Sequence, residues 1–401
     1  MRAEKRAWAE ISLDAIENNI KEIRRYVRPS AQILGVVKAD AYGHGYLEVA
    51  KTLLENGADA LAVAFIDEAI QLRECGITSP ILILGHTPNE YSSELVGREI
   101  IPSCFSYELA ECISRSAVKQ QKQAKIHIKV DTGMSRVGFR YCEDEEINQE
   151  TFATILKIAE LPNIEINGIF MHFAIADDDD DEYTYLQYHR FLALCRRLKE
   201  AGLDIPVKHC CNSAALMRFP EMHMDMVRPG IILYGQMPSD YVDKHCPVLH
   251  LEPAMQFKAR ITNVKEVPAG VSVSYGRKFR TSGITKIATI PVGYADGYSR
   301  ILSGKAKVLV HGKLCDVVGN ICMDQCMIDV SHVNNIAIGD GVILFGRSDD
   351  IELPVESLAE KMGTINYEIL CVIGKRIPRV YFKGGRVEEV HNYLLDHPIF
   401  D

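Results

Sequence analysis

The strongest constraint on the fold is an alternation repeated eight times. Short apolar runs at 33–37, 60–64, 81–84, 100–103, 126–130, 166–171, 207–210 and 224–227 are separated by longer segments. Several of those segments carry the apolar spacing of amphipathic helices, at 46–56, 66–75, 106–115, 150–159 and 184–201. Strands that alternate with helices pair in parallel through right-handed crossovers. Eight such units fit closure into a (β/α)8 barrel better than an open doubly wound sheet. The pattern changes after Tyr234, where Pro238, Pro247 and Pro253 punctuate a connection. Beyond it, strands at 255–264, 286–290, 305–310, 313–318, 326–330 and 341–345 are divided by glycine-rich turns, with late helices at 355–362 and 367–373. The chain is thus predicted to be α/β plus β. Its N-terminal (β/α)8 TIM-like barrel spans residues 1–245 and a C-terminal, mostly β domain spans 246–401. The residues up to about Glu10 are expected to pack with the latter.

Composition narrows the function. A formal net charge of −9 argues against a nucleic-acid partner. No stretch reaches the ~20 apolar residues of a membrane span, and the start of the chain has no apolar signal region. The 12 cysteines show neither zinc-like nor redox CxxC spacing. Reduced thiols in a cytoplasmic protein explain them most simply. His44, His86 and His127 lack metal-ligand spacing and read as core or surface residues, so no metal is expected. Gly43-His44-Gly45 lacks the later glycine of a dinucleotide fingerprint, and there is no Walker A motif.

Lys38 closes the first apolar run, with Tyr42, Gly43 and Gly45 just beyond it. A lysine at the end of a buried strand loses water, and its pKa falls. That suits an amine that must attack an aldehyde cofactor unprotonated. The stretch reads as an attachment site for pyridoxal phosphate. Taken alone, a lysine that merely ends a strand and reaches for solvent is the better reading. The other strand ends reverse that preference. Lys129, Asp131 and Arg136 follow the fifth strand, His172 the sixth, His209, Asn212 and Ser213 the seventh, and Arg228-Pro229-Gly230-Ile231 the eighth. Barrel active sites lie at this rim, and barrel phosphate sites use the loops after strands seven and eight. Ser213 and the N–H groups of Gly230 and Ile231 are therefore candidate phosphate donors.

The chain also resembles a known family. Lys38-Ala39-Asp40-Ala41-Tyr42-Gly43-His44-Gly45, Lys129-Val130-Asp131-Thr132-Gly133-Met134, Arg228-Pro229-Gly230-Ile231, Ser274-Tyr275-Gly276, Gly293-Tyr294-Ala295-Asp296-Gly297 and Cys322-Met323-Asp324-Gln325 look like signatures of the alanine racemases, which depend on pyridoxal phosphate. The resemblance runs from about Trp8 to Tyr381. It implies a cofactor-binding barrel with a β domain, working as a homodimer with shared active sites and supplying D-alanine for peptidoglycan. Lys38 would carry the cofactor and act as one base, and Tyr275 of the partner subunit would be the other. Arg228 would face the pyridine nitrogen, oriented by His209, and Arg136 would contact the phenolic oxygen. Tyr42, Asn212, Ser213, Gly230, Ile231 and Tyr367 would serve the cofactor. Met323 of the partner subunit would help bind the substrate carboxylate through its backbone, with Arg136, Tyr294 and Asp324 named as further substrate-binding residues. His172 would assist the Tyr275 phenol.

Several readings stay open in the sequence. Lys129 matches a lysine often carbamylated in the family, but it also reads as an amine paired with Asp131. Tyr294 and Asp324 read equally well as structural residues. Asn320 stands where the family commonly places an arginine in the substrate access channel. The alternatives to an alanine racemase are a racemase of serine, lysine or a broader set and, more remotely, a pyridoxal-phosphate decarboxylase. The decarboxylase would want an acidic residue in place of Arg228.

Overall fold

The computed structural model describes residues 6–348 and 351–396. The opening Met1–Lys5 of the N-terminal stretch lies outside the described residues. Two compact units emerge. One comprises Ala15–Ala41 and Tyr46–Pro253; the other comprises Met1–Asp14, Tyr42–Gly45 and Ala254–Asp401.

All eight expected strands of the first unit form and pair in parallel. Gln32–Val36, Ala60–Val63, Ile81–Ile83, Ile101–Cys104, Ala124–Asp131, Ile164–Phe170 and Val207–His209 follow one another in space as in sequence, and Met226–Val227 pairs back onto Gln32–Val36. Between the seventh and eighth strands two backbone bonds bridge the seam, Asp225 N–H to the Lys208 carbonyl at 3.1 Å and Arg228 N–H to the Cys211 carbonyl at 3.0 Å. The barrel is thus nearly closed. The helix expected at 150–159 begins earlier, as Glu145–Ala159, because the Asp144 carboxylate accepts from the N–H groups of Glu146 and Ile147. The helix expected at 106–115 runs on as Tyr107–Gln120. Its start is capped by Ser106 Oγ, and Gln121 ends it in a left-handed conformation.

The second unit is built on a large, mainly antiparallel sheet. Ala7–Ser12 enters this sheet between Met255–Arg260 and Arg379–Lys383, pairing antiparallel with the first and parallel with the second. The strand expected at 255–264 divides into Met255–Arg260 and Asn263–Val267. The chain changes partners there, with Ile261 N–H bonded to Asp340 and Thr262 N–H to Thr289. Two buried charges tie distant segments of this unit together. Arg379, 1% exposed, donates to the carbonyls of Gly43, Ile373, Gly374 and Ile377. The fully buried Asp296 carboxylate accepts from Arg6 at 2.8 Å and from the Gly293 N–H at 3.0 Å. Among the described residues no helix is long and apolar enough to cross a membrane.

Candidate functional site

Side-chain alternation decides what enters the barrel. On the fifth strand Ile126, Ile128 and Val130 share one face, while His127 and Lys129 share the other. His127 is in register with Gly168, Lys129 with Phe170, and Phe170 with His209. These residues form two polar layers in a barrel otherwise filled with aliphatic side chains. The His209 ring stacks on Phe170 at 4.7 Å, with 10° between the planes. The Lys129 ammonium and the Arg228 guanidinium lie 5.0 and 5.4 Å from the same phenyl centroid. Phe170 was not singled out in the sequence, because a phenylalanine in an apolar strand carries no polar signal.

Arg228, 3% exposed, is the hub of the upper layer. Its Nη1 lies 3.1 Å from His209 Nδ1 and its Nη2 lies 3.3 Å from His172 Nδ1. Nη2 also donates to the carbonyls of Met171 and Cys210, each at 2.8 Å. A guanidinium has no acceptor, so both histidines must offer lone pairs at Nδ1 and carry their protons on Nε2. Both are kept neutral. Burial and then the Arg228 charge push His209 and His172 well below the usual histidine pKa, with Lys129, Arg136 and Lys38 acting further on His172. Burial brings Arg228 itself down to about 10. Its Nε–H makes no hydrogen bond among the described residues.

Lys129 is buried, and desolvation together with Arg228 and Arg136 lowers its pKa to about 7. Its ammonium donates to the Val130 carbonyl at 3.0 Å, and no ion pair joins it to Asp131 among the described residues. The Asp131 carboxylate instead accepts from the N–H groups of Gly133 and Ser135 and holds the following turn. Arg136 is exposed and makes no hydrogen bond among the described residues. The buried Ser213 hydroxyl accepts from the Gly230 N–H at 2.9 Å, so that N–H is already committed, while the Ile231 N–H is not. Asn212 caps the short helix Ser213–Arg218 through a bond from the Ala215 N–H.

Lys38 is half-buried where the first strand ends. The next four residues, Ala39, Asp40, Ala41 and Tyr42, all adopt left-handed backbone, with φ of 52°, 56°, 52° and 53°. Each costs an L-residue ~1–2 kcal/mol. Glu68 accepts from the Ala39 N–H at 2.6 Å, and Asp40 accepts from the Tyr46 N–H at 3.0 Å, so fixed partners hold the strained turn beside the lysine. In the other unit, Gly45 has φ +91° and its ideal Cβ would fall 1.7 Å from the Tyr381 hydroxyl. Close packing explains that glycine without a bound anion.

The β unit carries its own group of candidate side chains. Tyr42 is buried, which raises its phenol pKa, and its ring lies 6.2 Å from that of Tyr367. Tyr275 is 70% exposed in a tight turn in which Ser274 and Arg277 also have positive φ. Asn320 is buried, and its amide donates to the Tyr275 carbonyl at 2.6 Å. The departure from the family arginine thus has a structural use. Met323 and Tyr294 are exposed, and the Met323 N–H is uncommitted among the described residues. Asp324 pairs with Arg376 at 2.7 Å.

The site fits a phosphorylated pyridine aldehyde on its donor chemistry. A permanent donor with an open N–H is bonded to two neutral histidines, and an amine stands at the end of a strand on the same barrel. The chain matches two family descriptions, "Alanine racemase, N-terminal domain" over residues 11–238 and "Alanine racemase, C-terminal domain" over 254–381. It is 49% identical over 387 residues to an alanine racemase of Clostridium perfringens, covering 96% of this chain and 98% of that one. A solved alanine racemase of Clostridium difficile superposes with a TM-score of 0.92 at 44% identity, covering 98% of this chain and 99% of the other. The Bacillus anthracis alanine racemase with bound L-Ala-P gives a TM-score of 0.91 at 38% identity, with the same coverage.

Proposed function

The chain belongs to the alanine racemase family, and from that premise we propose that it interconverts L- and D-alanine with pyridoxal phosphate on Lys38. The observation that carries the reading is Arg228, buried and bonded to two neutral histidines with its Nε–H open. When bound, the cofactor supplies an electron sink that acidifies the substrate α-proton. Arginine keeps its own proton, so a pyridine nitrogen held by Arg228 would stay unprotonated, which would restrain the sink and disfavour transamination.

Two bases on opposite faces of the α-carbon would take a proton from one side and return one to the other. Lys38 serves one face. Tyr275 of the partner subunit serves the other, and its exposure in its own unit leaves it available to a second copy of the chain. An ordinary phenol titrates near ~10 and needs help to act as a base. His172 accepts from Arg228 at Nδ1, so its Nε2–H is the donor that favours the phenolate. Ser213, the Ile231 N–H, Tyr42 and Tyr367 would hold the phosphate, with Gly230 and Asn212 shaping the loop ends. Arg136 takes the phenolic oxygen. The open Met323 N–H takes the substrate carboxylate, beside Tyr294 and Asp324. Lys129, its pKa lowered to about 7, attacks carbon dioxide through its free amine and releases one proton, leaving a carbamate anion in the field of Arg228 and Arg136. The working form is a cytoplasmic homodimer that supplies D-alanine for peptidoglycan.

The test is exchange of the alanine α-proton in deuterated water, followed together with inversion, across a panel of L-amino acids. Alanine is expected to lead the panel, and borohydride reduction is expected to fix the cofactor on Lys38. A protein that loads the cofactor but neither exchanges nor inverts alanine refutes the reading.

A further inference from the structure

Below the Arg228 hub, the barrel carries a chain of hydrogen bonds that the proposed mechanism does not use. His209 Nε2 lies 3.0 Å from His127 Nδ1. His209 must keep its proton on Nε2, because Nδ1 faces the Arg228 donor, so His127 accepts at Nδ1 and carries its own proton on Nε2. Asn167 stands beside His127, and its side chain favours the protonated imidazole against the effect of burial. The Asn167 amide nitrogen donates onward to Glu165 at 3.3 Å. That leaves its carbonyl oxygen as the available acceptor. From the guanidinium to His127 every link points the same way, and Asn167 with its bond to Glu165 stands next in line. The chain ends at a cavity of about 430 Å³ at the N-terminal mouth of the barrel, which His127 and Asn167 help to line.

The strand geometry shows that this ring is built in. Gly168 faces His127 in register, and a Cβ on Gly168 would fall 2.5 Å from the imidazole. The ring therefore lies flat against bare backbone, in space that any other residue would fill. Burial holds His127 neutral, with a pKa near 4.

We propose that His127, seated on Gly168 and oriented by Asn167 and Glu165, is a positioning residue that locks His209 in the Nε2–H form and so keeps a lone pair aimed at Arg228. An Nδ1–H on His209 would meet the guanidinium donor to donor and turn it away from its station. His127 touches neither substrate nor cofactor and acts through His209. The kinetic arm of the test rests on the proposed role of Arg228; the tautomer arm does not.

The experiment is ¹⁵N NMR of histidine-labelled protein, with and without cofactor, on the unsubstituted chain and on His127→Leu, His127→Gln and Asn167→Leu. The unsubstituted chain is expected to show His209 with a bare Nδ1 and a protonated Nε2. His127→Leu and Asn167→Leu are expected to give mixed tautomers at His209. In the loaded enzyme they should lose about tenfold in kcat with KM nearly unchanged, the rate equivalent of one buried hydrogen bond. Transamination per turnover should rise with that loss. Glutamine offers both an acceptor and a donor, so His127→Gln is expected to restore the tautomer and most of the rate. A folded His127→Leu protein in which His209 stays wholly Nε2–H overturns the proposal, as does a His127→Gln variant no better than leucine. Should His127→Leu fail to fold, Asn167→Leu decides by the same criteria. A correct tautomer pattern without alanine turnover would sink the proposed function and leave this relay standing.

Discussion

The barrel interior and the exposed turns of the β unit hold their functional side chains in opposite ways. In the barrel, His127, Lys129, His209 and Arg228 are all 3% exposed or less, and each is fixed by neighbours in its own unit. In the β unit, Tyr275 is 70% exposed and Met323 53%. What is fixed there is the backbone, through Asn320 on the Tyr275 carbonyl. Burial makes a charge-defined pocket, because the low dielectric sets which groups stay neutral. Exposure leaves the Tyr275 phenol in contact with solvent, where the proposed second copy of the chain would meet it. One region is held by neighbours in its own unit, and the other would gain its partners only in the proposed dimer.

The sharpest way to break that contrast is to remove one base from each region. Lys38→Ala is expected to abolish racemisation and also the cofactor adduct seen by mass analysis after borohydride. Tyr275→Phe is expected to slow turnover ~10²–10⁴-fold while leaving the adduct intact. If the two bases belong to different subunits, unfolding and co-refolding the two inactive variants together should restore about a quarter of the activity. Half the dimers are then mixed, and each mixed dimer has one intact site. No recovery in well-folded mixed dimers would place both bases in one chain.

A buried charge inside the β unit tests whether exposure there means looseness. Arg379→Met strands four carbonyls and is expected to cost ~3 kcal/mol or more, read as a fall in the urea midpoint. A change below ~1 kcal/mol would show that water replaces those bonds freely.

The barrel interior should reveal itself in pH dependence. The Lys129 pKa is depressed to about 7, whereas the unfolded chain titrates near the ordinary lysine value. Between those limits the unfolded state binds more protons, so stability should rise with pH from about 7 to about 10. His172 and His209 are depressed as well, so stability should fall as pH drops below the unperturbed histidine value, where only the unfolded chain takes up those protons. Lys129→Met should flatten the alkaline slope and leave the acid one. Labelled bicarbonate should give a carbamate carbon signal in the unsubstituted chain and none in the variant.

The smallest effect is expected at Asn320. Asn320→Leu removes one hydrogen bond to the Tyr275 backbone and should lower kcat several-fold, without changing cofactor loading. A loss as large as that of Tyr275→Phe would mean the turn collapses rather than loosens.

Much of this was legible in the chain itself. Eight apolar runs placed all eight barrel strands to within a few residues, because a strand buried on both faces must be apolar along its length. The rim residues could be named because polar groups at strand ends interrupt that pattern. Helix starts were misjudged where a cap lay outside the apolar periodicity, as at Asp144. The break at Ile261 was invisible because both halves read as strand and only pairing partners separate them. Asn320 read as a missing cation until its contact with Tyr275 was seen.

Local chemistry along the chain was enough to specify a parallel barrel followed by a β domain and to put Lys38 and Arg228 at strand ends, whereas Tyr275 came only from the family resemblance. Those are properties of single residues and short periods. The three-dimensional arrangement alone decided that His127 belongs with His209, that Phe170 sits beneath two cations, and that Asp131 serves a turn rather than Lys129. Such pairings join residues on different strands, and hydrogen-bond direction, burial and register exist only once the strands are side by side.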